Sequence, residues 1–135
     1  LGKRLLLTVK QIMNKKDQIP FVHLNMKIKD VLLIISEKGL GMTVVLNIND
    51  EMVGIITDGD IRRSLEKEGN KIFDQTAGCI MSENPKWISS NTLAISALEH
   101  MEKYNITSLI VYSGKQLKKP NGVIHIHDIL KTGIK

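Results

Sequence analysis

The chain has 135 residues, 42% of them hydrophobic and only 4% aromatic, enough apolar material for one compact domain or two small ones with an aliphatic core. Nineteen Lys and Arg against fourteen Asp and Glu leave a net charge of +5, which favours a small anionic partner. The basic residues are scattered, with no arginine-rich arm, stacking aromatic motif or zinc finger, so nucleic-acid binding of the familiar kinds is excluded. A lone Cys79 allows neither an internal disulfide nor a cysteine zinc site; it points to the cytoplasm and is read as a small buried thiol.

The opening LGKRLLLTV is basic and then apolar, too short an apolar run for a signal peptide, and no later run approaches membrane-spanning length. A start at Leu1 rather than Met is expected of a piece of a longer protein. After Ile12-Met13, a first short strand is predicted near PFVHL. Ile28, Val31, Leu32 and Ile35 then fall at i, i+3, i+4 and i+7, one apolar helical stripe. Gly39, a residue that tolerates the left-handed conformation, ends that helix. MTVVLNI and MVGIIT read as buried strands around a short polar turn at Asn47 to Glu51, and the second passes into a helix at Asp60.

The same series then repeats. Ile80-Met81, Gly122 and Asp128 follow Ile12-Met13, Gly54 and Asp60 at one offset of 68, which marks a duplicated unit. KWIS supplies the second copy's first strand, Ala94, Ala97, Leu98 and Met101 its helical stripe, Asn105 its helix end, and SLIVY and GVIHI its later strands. The loop from Ser113 to Pro120 is longer than its counterpart and is expected to be an exposed hairpin tip. The predicted fold is a mixed α/β (α+β) protein of two repeats, each strand-helix-strand-strand-helix, packed as a pseudo-twofold pair with a cleft for a ligand. Residues 1–8 are read as the end of a linker, 9–75 as the first repeat and 76–135 as the second.

The repeated unit, with Gly54-Ile55-Ile56-Thr57 leading to Asp60, resembles a tandem pair of cystathionine beta-synthase (CBS) domains over nearly the whole chain. LGKRLLLTVKQIM, KGLGMTVVL, GIITDGDIRR, NITSLIVY and GVIHIHDIL together resemble more narrowly the C-terminal half of bacterial arabinose-5-phosphate isomerases. Those enzymes join a sugar-isomerase (SIS) domain to a CBS pair on the route to the lipopolysaccharide sugar Kdo. The resemblance implies a regulatory module with no required cofactor, taking a nucleotide or CMP-sugar as ligand, with the SIS domain of its parent chain as partner and homodimers formed through CBS packing. It implies ribose binding by Thr57 and Asp60. The rival expectations are a CBS pair from another parent and a dimerising module without ligand.

Thr57 and Asp60 have a second reading, since Thr-x-x-acid is a helix-capping arrangement. Asp58 and Gly59 lie between them, Gly59 permitting a tight turn or a close ligand; Arg62, with Arg63 beside it, offers a guanidinium to phosphate or simply a solvated surface. In the second copy His125 replaces the Thr, His127 sits in the spacer and Asp128 is kept. The two histidines are expected on one face of a strand, without a third ligand to make a metal site. For Lys86 and Trp87 the resemblance implies a place flanking a nucleotide base; the alternative is ordinary packing. Thr43 and Thr107 are read as strand-edge residues. The chain carries no nucleophile and base pair, P-loop, dinucleotide glycine fingerprint or metal-hydrolase motif, so it is read as non-catalytic, its parent as the isomerase.

Overall fold

A computed structural model describes residues 5–114 and 119–134. The central part of the expected hairpin tip between Ser113 and Pro120 lies outside the described residues. In chain order the elements are α1 (Val9–Ile12), β1 (Asn14–Lys15), a 3-10 turn, β2 (Phe21–His23), α2 (Ile28–Lys38), β3 (Met42–Leu46), β4 (Met52–Thr57), α3 (Asp58–Glu68), a second 3-10 segment (Gly69–Asp74), α4 (Ala77–Ile80), β5 (Trp87–Ser89), α5 (Ala94–Tyr104), β6 (Ser108–Tyr112), β7 (Gly122–His125) and α6 (Ile126–Leu130). Both predicted strand-helix-strand-strand-helix series are present in this mixed α+β chain. None of the described helices is long and apolar enough to cross a membrane.

The chain forms two compact units, and they do not coincide with the sequence repeats. One unit is Gln18–Pro85; the other combines Leu1–Asp17 with Lys86–Lys135. In the first, β2 runs parallel to β3 and β3 antiparallel to β4, and α2 closes one face with Ile28, Val31 and Ile35 against Val22, Val45, Ile56, Ile61 and Ile72. In the second, the order is β1-β7-β6-β5, and Ala94, Ala97, Leu98 and Met101 of α5 pack on Leu109, Val111, Ile124 and Ile129. The helical stripes read from the sequence are thus the faces that build the two cores.

Each unit is completed by the opening segment of the other repeat. Val9 N–H donates to Thr92 O (2.8 Å) and Lys10 N–H to Ser90 O (3.0 Å); in the other unit Ala77 N–H donates to Met26 O (2.8 Å) and Gly78 N–H to Leu24 O (3.0 Å). α2 and α5 have no side-chain caps. Their first N–H groups go instead to backbone carbonyls of these segments, Ile28 to Gln75 O (2.9 Å) and Ala94 to Leu7 O (2.7 Å), which satisfies donors that every helix start leaves unpaired. Leu7 belongs to the stretch read as linker, and it is this bond that ties that stretch to α5.

Helices α2 and α5 end in the left-handed conformation as predicted, at Gly39 (φ 73°, ψ 16°) and Asn105 (φ 54°, ψ 48°). Three sequence readings are corrected. Thr43 is not at a strand edge: it lies in the central strand β3, fully buried between β2 and β4. Cys79 is exposed rather than buried, because α4 turns Ala77 into the core and leaves Cys79 outward, where its sulfur accepts from Thr76 Oγ1 (3.4 Å). His125 and His127 do not share a strand face, since β7 stops at His125 and His127 lies in α6.

Candidate functional site

At the junction of β4 and α3, Thr57 is an N-cap with extended backbone, and with Asp60 it forms a reciprocal capping box. Asp60 N–H donates to Thr57 Oγ1 (3.1 Å), and Thr57 N–H donates to Asp60 Oδ2 (2.9 Å). The spacing therefore performs its capping role. The other carboxylate oxygen, Oδ1, accepts from Arg63 Nη2 (2.8 Å) and from Ser82 Oγ (3.0 Å). Asp60 is nine-tenths buried, and three donors offset the cost of burying its charge.

Arg63, rather than Arg62, is the arginine that closes this corner. It lies across Gly59, where a Cβ would approach its Nη1 to 3.1 Å; the glycine clears a path for the guanidinium. Arg62 and Asp58 are exposed. Asp58 N–H donates to Gly41 O (2.9 Å), and its carboxylate rests against Gly41, where an added Cβ would be 3.0 Å from Oδ2.

The corner between β7 and α6 repeats this frame with different parts. His125 N–H donates to Asp128 Oδ2 (2.8 Å), as Thr57 does to Asp60. The same oxygen accepts from Asn14 Nδ2 (2.7 Å), and Lys131 Nζ stands 3.6 Å from Oδ1. His127 N–H donates to His125 Nδ1 (3.1 Å), which requires that nitrogen to be unprotonated. Burial pushes the His125 pKa down, the charge of His127 adds to this, and Asp128 opposes it. The two imidazoles are stacked with centroids 4.8 Å apart. Among the described residues no group of three His, Cys, Asp or Glu is placed to hold a metal ion.

Lys86 and Trp87, in the same unit as His125, make their ring contacts elsewhere. Lys86 Nζ lies 4.4 Å from the Tyr104 ring centroid, and Trp87 meets Tyr112 edge-on at 5.6 Å while keeping 48% of its surface exposed. Burial raises the Tyr112 phenol above its ordinary pKa.

Asn14 and Ser82 were missed in the sequence. Both follow the Ile-Met anchors, 68 positions apart, and that offset, the same as between Asp60 and Asp128, was the available signal. The glycine anchors belong to the same contact. A Cβ on Gly54 would lie 2.7 Å from Ser82 O and 2.9 Å from Met81 Sδ; one on Gly122 would lie 2.9 Å from Met13 Sδ and closer still to Asn14 O.

The CBS domain family matches residues 9–67 and 77–134. Arabinose 5-phosphate isomerase KdsD of Francisella tularensis subsp. tularensis is 41% identical over 136 residues, covering 100% of this chain and 40% of the relative; the chain therefore spans about two fifths of that enzyme's length. Among solved structures, a CBS-domain containing protein from Agrobacterium tumefaciens superposes with a TM-score of 0.85 at 19% identity, covering 96% of each chain. The CBS domain pair of protein MJ0100, solved in complex with 5′-methylthioadenosine and S-adenosyl-L-methionine, superposes with a TM-score of 0.80 at 23% identity, over 95% of this chain and 96% of that one. With both repeats matched and the fold shared end to end, this chain belongs to the CBS domain family as a tandem pair.

Proposed function

We propose that this CBS pair is the regulatory module of an arabinose-5-phosphate isomerase and senses a nucleotide or nucleotide-sugar, a CMP-sugar being the class that suits feedback on that route. The end-to-end likeness to the KdsD isomerase carries the assignment of the parent. The chain itself is non-catalytic on this reading, and it associates with a copy of itself and with the SIS domain of the parent.

Thr57 is the leading ligand contact. Its oxygen accepts from Asp60 N–H while its hydroxyl hydrogen remains available to donate, and it stands at the N-terminus of α3, an 11-residue helix, whose dipole favours a phosphate. Asp60, Asp58, Gly59 and Arg62 complete that corner; His125, His127 and Asp128, with Lys86 and Trp87 in the same unit, form the second candidate corner, where an unprotonated imidazole suits a neutral group better than a phosphate. Calorimetric titration with AMP, ATP, CMP and a CMP-sugar tests this reading, with Thr57→Val as the variant. Asp60→Ala is a poor probe, because that carboxylate also holds Arg63 and Ser82. The expected result is binding of at least one of the four, weakened about tenfold or more in Thr57→Val at an unchanged circular-dichroism spectrum.

The full engagement of Asp60 favours one competing reading, a ligand-free assembly module. On that reading none of the four compounds binds or raises the melting temperature.

A further inference from the structure

The exchanged opening segments are held along their first part by backbone bonds, and at their far end each meets the aspartate of a candidate corner. Asn14 is 114 residues from Asp128 in sequence and donates to it at 2.7 Å; Ser82 donates to Asp60 at 3.0 Å. The neighbouring backbone contact is slight in both cases. Asn14 and Lys15 pair with Val123 and Gly122 in a two-residue strand, while Ser82 makes one isolated bridge to Ile55, with reciprocal bonds of 2.8 and 3.0 Å. Short pairings of this kind sit at the low end of local stability, so a hydrogen bond to a charged acceptor contributes a large fraction of what holds the far end of each segment, at Asn14–Lys15 and at Ser82.

We propose that Asn14 and Ser82 are latches: each fastens the opening segment of one repeat to the aspartate that caps the other repeat's last helix, and each can be released separately. Asp60 and Asp128 then have two tasks, capping α3 or α6 with one set of bonds and retaining the segment with another. The latches differ in strength. Asn14 adds a second bond from its amide to Val123 O (3.3 Å) and is half-buried, whereas Ser82 is exposed and shares Asp60 Oδ1 with Arg63. The Ser82 latch is the looser of the two. On the reading that these corners take ligands, a hydroxyl that hydrogen-bonds the Asp60 carboxylate competes with Ser82 and loosens residues 81–83.

Hydrogen–deuterium exchange on the chain alone, without nucleotide, tests the latches independently of whether any nucleotide binds. Asn14→Ala is expected to speed exchange of amides in residues 13–15 on the order of tenfold, the size of one lost bond to a charged acceptor, and to leave 81–83 unchanged. Ser82→Ala is expected to do the reverse. Because Asn14→Ala also removes packing, Asn14→Ser is the second variant: the structure already uses serine at the matching position, so Asn14→Ser should restore most of the protection. Exchange unchanged in the alanine variants, raised equally in both segments, or no better in Asn14→Ser than in Asn14→Ala would each overturn the proposal.

Discussion

The corners at Thr57–Asp60 and His125–Asp128 have one geometry and two chemistries. In both, a strand ends at an N-cap whose backbone N–H is held by an aspartate three residues on, and in both that aspartate retains a distant segment. The first corner surrounds its carboxylate with a guanidinium and a hydroxyl; the second uses an amide, a more distant ammonium and a neutral imidazole. Duplication has thus preserved the aspartate with its bond to the N-cap N–H and varied the groups around them. The aspartate common to both is a structural residue first, and any ligand role is added to that one.

The comparison is most sharply tested where the backbone of an opening segment crosses a glycine. Gly122→Ala is expected to destabilise the chain by about 3 kcal/mol and Gly54→Ala by about 2 kcal/mol, both measured by urea denaturation. The added Cβ meets the backbone carbonyl oxygens Asn14 O and Ser82 O, which cannot give way as the nearby Met13 and Met81 side chains can. Gly122 is the worse case because β1 pairs there over two residues, whereas Ser82 makes a single bridge that can open. Equal costs would show that the segments are held alike.

Removing the carboxylates should expose the same asymmetry at smaller size. Asp128→Ala and Asp60→Ala are each expected to cost about 2 kcal/mol, since both leave an N-cap N–H unpaired. Asp128→Ala should be the more severe, because it strands the half-buried Asn14 amide, while Ser82 and Arg63 at the first corner are exposed and regain water. A reversed order in thermal melts would contradict the view that the second latch is the stronger.

The imidazole gives the second corner a pH dependence of its own. With its folded pKa below the ordinary 6.5, His125 stays unprotonated as the pH falls while its unfolded counterpart takes up a proton. Stability is therefore fully present above pH 6.5 and is lost as pH falls through the lowered folded value. Groups facing His125 are His127, Asp128 and, beyond it, Lys131; Asn14 and the opposing Ser108 do not titrate. His125→Thr, which imports the residue of the first corner, should keep the cap and flatten the melting temperature between pH values above and below 6.5. An unchanged slope would show that His125 does not carry the pH dependence.

Local pattern made most of the fold legible. The stripes at Ile28–Ile35 and Ala94–Met101, the β-branched runs and the helix-ending Gly39 and Asn105 are short-range signals, and tertiary packing agrees with them. The exchange of opening segments was not legible, because Asn14 and Ser82 act across long sequence separations and a repeat offset aligns residues without saying which of them touch. The anchors Met13, Gly54, Asp60 and their partners were visible as a set, yet their common meaning, one contact made twice, needed coordinates. His127 was misplaced because GVIHI alternates like a strand; the bond from Asp128 to His125 N–H ends β7 one residue sooner and starts α6. Arg63 and not Arg62 reaches Asp60 because helical spacing makes i+3 a neighbour and i+2 not.

The smallest expected effect separates the two units at their helix ends. Gly39 and Asn105 both sit at positive φ, 73° and 54°, a region that costs a side chain unless it is asparagine or the residue is glycine. Gly39→Ala should therefore destabilise by about 1 kcal/mol, while Gly39→Asn should cost only a few tenths and Asn105→Gly should be within a few tenths of neutral. No neighbouring atom lies within 4 Å of a Cβ built at Gly39, so the alanine cost is backbone strain alone. At Asn105 the two bonds from its N–H to Glu102 O and Met101 O survive substitution by glycine. If Gly39→Asn proved as costly as Gly39→Ala, asparagine could not stand in for glycine at this turn, and the equivalence of the two helix ends would fail even though their backbones match.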